Sequence, residues 1–337
     1  MINNAVGNKL MFTLASQDMG FRRKLVVIFI TVFVIVIWVL GIRNRGAYQL
    51  PGLQSEEEVA FLKRRVEELS YECLRSQQSE PRLPVIYAIT PTFARHVQKA
   101  ELTRLSHTLR LVPGLHWLVV EDAPGPSALV SKLLQRSMVN HTLLYKPTPP
   151  AMKLSDKEGH WTKPRGVAQR NAGLKWLRDN LVPGRDAGVV YFADDDNAYS
   201  LELFEEMRWT QRVSVWPVGL VGGLRVERPL VDPHTNRVTG FNSAWHPERP
   251  FPIDMAGFAI NVTLLLDTPA AVFSFESKQG YQESEILRHV VTRDQLEPRA
   301  DLCTKVYVWH TRTETPKLPA ETALKKQGKS SDDGIEV

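Results

Sequence analysis

Cysteine is nearly absent from this chain of 337 residues: Cys73 and Cys303 are the only two, which excludes a disulfide-stapled scaffold. A dominant charge is missing as well. Forty-two Lys and Arg stand against 37 Asp and Glu, a net of +5, too even a balance for a dedicated nucleic-acid binder. No internal repeat or low-complexity tract interrupts the sequence. With 43% hydrophobic and 23% charged residues, wholesale disorder and collagen-like structure are excluded too. The length allows one large domain or two ordinary ones.

One uncharged apolar run is present, Leu25 to Ile42. As a helix it covers roughly 27 Å, close to the hydrocarbon thickness of a bilayer. Arg22, Arg23 and Lys24 precede it, while Arg43 and Arg45 follow. The heavier N-terminal flank predicts a cytoplasmic tail at 1–24 and a transmembrane signal anchor at 25–42. A cleaved signal peptide is the alternative, but its core spans about 7–15 residues and no small-residue cleavage pattern follows here. The remainder is then expected in the lumen of the secretory pathway. There, Asn140-His141-Thr142 and Asn261-Val262-Thr263 are glycosylation acceptor patterns.

Residues 43–83 hold few large apolar side chains and read as a stem. Val59, Leu62, Val66, Leu69 and Cys73 recur at alternating spacings of three and four, the seam of a short coiled coil. Two chains tethered in one membrane would bring their Cys73 thiols together, predicting an interchain disulfide. A solvated amphipathic helix with an idle thiol is the alternative.

From about Leu83-Pro84 onward, apolar runs alternate with helical patterns. Val85 to Ile89, His116 to Val120 and Gly188 to Ala193 read as buried strands; Leu102, Leu105 and Leu109, then Leu174, Leu177 and Leu181, mark helices. This predicts an α/β domain with a largely parallel sheet covered on both faces. Ligands in such sheets bind beyond the carboxyl ends of the strands.

Asp194-Asp195-Asp196 stands at one such end. Three adjacent carboxylates repel one another unless a cation or basic partners sit there, so the trio is expected to grip Mg²⁺ or Mn²⁺ bridging to a diphosphate. The alternative is an acidic turn capping a helix that starts near Ser200. Arg165 and Arg170 flank a helix start, and His310 and Arg312 follow another apolar strand; all four are candidates for holding phosphate, or ordinary surface groups. Glu283 stands in the first turn of a helix, where the helix dipole alone accounts for it. Glu227, Trp245, Arg249 and Asp254 decorate turns, compatible with sugar binding, though each alone is more often structural.

Several strings are more specific: Pro91-Thr92-Phe93-Ala94-Arg95, Trp117-Leu118-Val119-Val120-Glu121-Asp122-Ala123, Tyr191-Phe192-Ala193-Asp194-Asp195-Asp196-Asn197, Asp254-Met255-Ala256-Gly257-Phe258-Ala259 and Val308-Trp309-His310-Thr311-Arg312-Thr313-Glu314. Across residues 84–337 the chain resembles the β-1,3-glucuronyltransferases. It is most similar to the branch that completes the proteoglycan linkage region, with the branch that makes the HNK-1 epitope on N-acetyllactosamine glycans as the alternative.

The resemblance implies a GT-A fold with a mostly parallel, Rossmann-like sheet, in a single-pass type II Golgi membrane enzyme that works as a homodimer. UDP-glucuronate would be the donor, Mn²⁺ the cofactor, and Gal-β1,3-Gal-β1,4-Xyl-β-O-Ser on proteoglycan core proteins the acceptor. Residues 84–196 would bind the donor nucleotide and 197–337 the acceptor. By motif, Phe93 and Asp122 would hold uracil, Asp195 the ribose and Asp196 the metal, with Asp194 and Arg170 in support. Arg165, His310 and Arg312 would neutralise the diphosphate, and Arg249 and Asp254 would hold the glucuronate. Glu227 and Trp245 would shape the acceptor galactose site, and Glu283 would be the base. Phe93 departs from the tyrosine of the family pattern. Two other classes remain open from the residues alone: a metal-dependent nucleotidyltransferase and a non-catalytic luminal carbohydrate-binding protein.

Overall fold

The structure, a computed structural model, describes residues 60–68, 83–153, 163–311, 313 and 317–331. Met1–Leu83 and Pro84–Val337 are separate compact units. In the first, residues 60–68 are helical, with Leu62 exposed and Arg65 paired to Glu68 at 3.0 Å. The apolar run at 25–42, and Val59, Leu69 and Cys73 of the expected seam, lie outside the described residues.

In the second unit the alternating pattern becomes β1 (Val85–Thr92), α1 (Gln98–Leu109), β2 (Leu115–Glu121), α2 (Ala128–Ser137), β3 (His141–Tyr145), α3 (Val167–Asn180) and β4 (Gly188–Phe192). These four strands run parallel, with β2 pairing β1 and β3, while β4 takes the other edge of β1. The chain therefore builds outward from β1 to one side and then returns to the other. The gap this leaves between the carboxyl ends of β1 and β4 is a topological switch point, where open α/β sheets receive ligands.

The chain continues through β5 (Ala198–Tyr199), α4 (Leu201–Arg208), β6 (Val213–Val215), β7 (Val218–Val221), β8 (Leu224–Asp232), β9 (Arg237–Asn242), β10 (Phe258–Asn261), α5 (Val262–Leu266), α6 (Gln282–Leu287), β11 (Leu296–Pro298) and β12 (Val308–Trp309). The main sheet has the order β11-β6-β10-β4-β1-β2-β3, and β10 runs against both of its neighbours. Because β6, β10 and β11 follow residue 196 yet belong to this sheet, the expected division at 196/197 falls inside one compact unit.

Successive strand residues point to opposite faces, and both faces are buried. Ile86 and Ala88 join Leu102, Leu105 and Leu109 of α1 and Phe204 of α4 in one cluster. Tyr87 and Ile89 join Leu174 and Leu177 of α3 in the other. Each such fully buried large side chain contributes about 1.5–3 kcal/mol. Gly173 lets α3 lie close on β1, since a Cβ there would come within 2.8 Å of Ile89. Pro91 is tolerated within β1 because pairing with β4 ends at Ile89, so no ladder bond to β4 requires its missing N–H.

A smaller sheet of order β5-β12-β7-β8-β9 completes the site. Its register pairs Trp309 with Ala198 in antiparallel fashion. The residues after Trp309 are thereby delivered to those just before Ala198, which are the aspartates.

Candidate active site

At the switch point two of the three aspartates are already paired. Asp194 accepts from Arg170 at 2.6 Å. Asp195, buried, accepts from Arg95 at 2.6 Å and from the Thr92 hydroxyl at 2.7 Å, and Gln98 donates in turn to that hydroxyl at 3.2 Å. The Asp196 carboxylate accepts no hydrogen bond among the described residues. Its main-chain carbonyl is fixed instead, by Arg104 at 2.8 Å and by the Thr311 hydroxyl at 2.5 Å. Burial, followed by the charges of Asp194 and Asp195, pushes the Asp196 carboxyl above its ordinary value, against the pull of His310 and Arg95.

Of the three acids, Asp194 and Asp195 are thus engaged by arginines, while Asp196 is the one the resemblance assigns to the metal. No group of three ligating side chains converges among the described residues. Asp196 alone offers an unengaged carboxylate, a hard-oxygen donor suited to Mg²⁺ or Mn²⁺, whose remaining ligands are commonly water and phosphate oxygen. Nor do the aspartates cap α4, because Ser200 occupies the N-cap position.

Beside them, Asp122 is anchored by its N–H to the Thr92 carbonyl at 2.8 Å, and its carboxylate accepts from Thr148 N–H and Thr148 Oγ1, both at 2.7 Å. The Phe93 ring is 47% exposed, with the Arg95 guanidinium 4.7 Å from its centroid. Arg165 is exposed, and its carbonyl accepts from Arg170 at 3.0 Å. Arg312 lies outside the described residues. Arg95, Arg104, Thr92, Thr148 and Thr311 carry much of this geometry, and none was singled out as a site residue from sequence. Their partners stand far away in the chain, Arg95 and Asp195 being 100 positions apart.

The second cluster surrounds Glu283, in the first turn of α6. Burial lifts its carboxyl to about 7, helped by the charge of Asp254 and opposed by Arg249 and Arg170. Arg249 is itself buried and approaches Glu283 only to 3.6 Å. It donates to the Gly280 carbonyl at 2.7 Å, the His246 carbonyl at 3.2 Å and Ser243 Oγ at 3.5 Å. Asp254 accepts from Ala256 N–H and partners His310 Nδ1, each at 3.0 Å. Burial opposes its charge, but the His310 bond and charge, the Ala256 N–H and Arg249 outweigh it and hold Asp254 below its ordinary value. Two neighbouring acids are thus driven apart in acidity, the pattern of a site that separates proton-transfer and charge-holding roles. Glu227, also buried, accepts from Ser243 Oγ at 2.5 Å, and burial raises it. Trp245 stands 44% exposed nearby.

The two acceptor patterns for glycosylation differ. Asn140 is exposed, with only a long 3.3 Å contact from its Nδ2 to His116. Asn261 is partly buried and its amide is hydrogen-bonded at both ends. Its Oδ1 caps α5 by accepting from Thr263 and Leu264 N–H, and its Nδ2, the atom a glycan would take, donates to the Thr210 carbonyl at 3.1 Å. Cys303 is buried, and burial pushes its thiol up to about 12, which makes it unreactive.

A profile of glycosyltransferase family 43 matches residues 105–314. The chain is 58% identical over 259 residues to galactosylgalactosylxylosylprotein 3-beta-glucuronosyltransferase I of Drosophila melanogaster, covering 76% of this chain and 84% of that one. It is also 58% identical over 273 residues to the Homo sapiens galactosylgalactosylxylosylprotein 3-beta-glucuronosyltransferase 3, covering 78% and 81%. With the Caenorhabditis elegans galactosylgalactosylxylosylprotein 3-beta-glucuronosyltransferase sqv-8 it shares 45% identity over 289 residues, covering 84% and 81%.

Proposed function

Because the chain belongs to glycosyltransferase family 43, we propose that it transfers glucuronate from UDP-glucuronate, in β1,3 linkage, to the terminal galactose of the Gal-Gal-Xyl-Ser linkage region of proteoglycans. The observation that carries the chemistry is Glu283, a carboxyl 14% exposed and lifted to about 7, standing 3.6 Å from the buried Arg249. A base tuned near the working pH is both deprotonated and strong enough to accept a proton in the transition state.

In this reading the transfer inverts the anomeric centre within a GT-A frame. The galactose O3–H lies against Glu283, which takes the proton as O3 bonds to the sugar carbon. The bond from that carbon to the phosphate oxygen breaks, and its electron pair leaves with UDP. Asp254 holds His310 in place through Nδ1, and with Arg165 and Arg312 that imidazole faces the diphosphate. Phe93 stacks uracil beside Asp122, Asp195 reaches the ribose, Arg249 and Asp254 hold the glucuronate, and Trp245 with Glu227 forms the acceptor platform. Mn²⁺ would be held by Asp196, where the unengaged carboxylate fits it, and supplies neutralising charge for the departing diphosphate.

The setting we propose is the Golgi membrane: a single-pass type II homodimer anchored at 25–42, bridged by Cys73 in the stem and glycosylated at Asn140. A UDP-release assay tests the reading, with several UDP-sugars crossed against galactose-β1,3-galactose and N-acetyllactosamine acceptors. Turnover is expected with UDP-glucuronate and the digalactose. Turnover on N-acetyllactosamine instead reassigns the acceptor to the HNK-1 type. No turnover with any pair refutes the enzyme in favour of a binding protein.

A further inference from the structure

Gly280 lies between Trp245 and Arg249. It adopts a left-handed φ of +77°, and a Cβ built on it would fall 2.4 Å from Trp245 Nε1 and 3.4 Å from His246 Cδ2. The Trp245 indole therefore rests on the bare Gly280 backbone, steadied edge-to-face by His246 at 4.8 Å between ring centroids. The carbonyl of the same residue accepts from Arg249 Nη1 at 2.7 Å. That nitrogen is also the atom nearest Glu283, at 3.6 Å, beyond hydrogen-bond length.

One guanidinium nitrogen thus faces two acceptors and is committed to the neutral one. We propose that Gly280 is a positioning residue: it carries the Trp245 platform, and through its carbonyl it fixes the spacing between Arg249 and Glu283. This rests on Glu283 being the base. With Gly280 displaced, Arg249 Nη1 loses its closest partner and moves onto the carboxylate.

The sign of the consequence follows from the groups that face Glu283. Arg249 and Arg170 favour its charged form, while Asp254, itself paired with His310, disfavours it. Glu227 reaches the cluster through Ser243, which also accepts from Arg249. A guanidinium brought from 3.6 Å to hydrogen-bond distance lowers the proton affinity of Glu283 and weakens it as a base.

The test is Gly280→Ala, with Trp245→Phe/Gly280→Ala as a size-compensated partner, in the full chain. Expected for Gly280→Ala are a KM for the digalactose raised about fivefold or more, and an acid limb of kcat/KM moved down by about one pH unit. UDP affinity is expected to stay unchanged. In the double variant the smaller ring makes room for the new methyl, so the limb returns to its wild-type position even though acceptor affinity stays low.

An acid limb unmoved in Gly280→Ala with UDP binding intact overturns the proposal, as does a limb still displaced in the double variant. If Gly280→Ala no longer binds UDP, support requires the double variant to recover both UDP binding and the wild-type limb. Loss of UDP binding in both assigns Gly280 to backbone conformation alone and overturns the proposal. Glu283→Gln in parallel separates the two levels: full turnover there refutes the base itself, whereas its loss leaves any failure confined to Gly280.

Discussion

The two halves of the active site use the same pair of side chains, arginine and carboxylate, to opposite ends. At the switch point, Arg170 and Arg95 each close on an aspartate at 2.6 Å. In the Glu283 cluster Arg249 stays 3.6 Å from Glu283, and its hydrogen bonds go to neutral oxygens. A closed pair fixes a loop. A buried carboxylate kept short of its cation retains proton affinity, which is what a base needs.

The largest expected effect breaks the second half. Glu283→Gln keeps the shape but removes the proton acceptor, so turnover should fall by about 10²–10⁴ while UDP binding persists. Calorimetric titration beside a product assay checks both parts.

The same substitution sharpens the comparison through stability. Glu283 has a folded value of about 7 against an ordinary 4.5. Between those values the unfolded chain releases a proton that the folded chain retains, so stability falls as pH rises through this window. Above it the cost is on the order of 3 kcal/mol. Glu283→Gln should therefore raise the Tm at pH 8 and change it little at pH 4. Asp254, held below its ordinary value, contributes stability that is present above the unfolded value and lost as pH falls through the folded one. Asp254→Asn should accordingly lower the Tm at pH 8. Thermal melts of both variants at the two pH values decide whether the acids differ in sign.

Breaking the first half is expected to cost structure. Arg170→Ala leaves Asp194 unpaired and should destabilise by about 1.5–3 kcal/mol, read by urea unfolding. Phe93→Tyr should have the smallest effect, a change of about threefold or less in the donor KM, because the ring remains beside Arg95 and only a hydroxyl is added.

The parallel core was legible from sequence because continuous apolar runs such as Val189 to Phe192 have few alternatives to a sheet covered on both faces. The strand-end acids were legible for the same reason. Their partners were not: Arg95 and Arg104 reach the aspartates only after β1 and β4 pair, and nothing local distinguishes them from solvated arginines. Glu283 was visible as a first-turn acid, but its proton affinity arises from burial and from Arg249 and Asp254, 34 and 29 positions earlier. At Asn261 the triplet is legible as an acceptor pattern, whereas the Thr210 contact, 51 positions away, is not.

The most direct test of the account is the pH dependence of kcat/KM for the digalactose with UDP-glucuronate saturating. A single-proton acid limb centred near 7, absent from the residual rate of Glu283→Gln, is the result the structure predicts. A limb near 4.5, the ordinary value for a glutamate, or one that survives in Glu283→Gln, would contradict it.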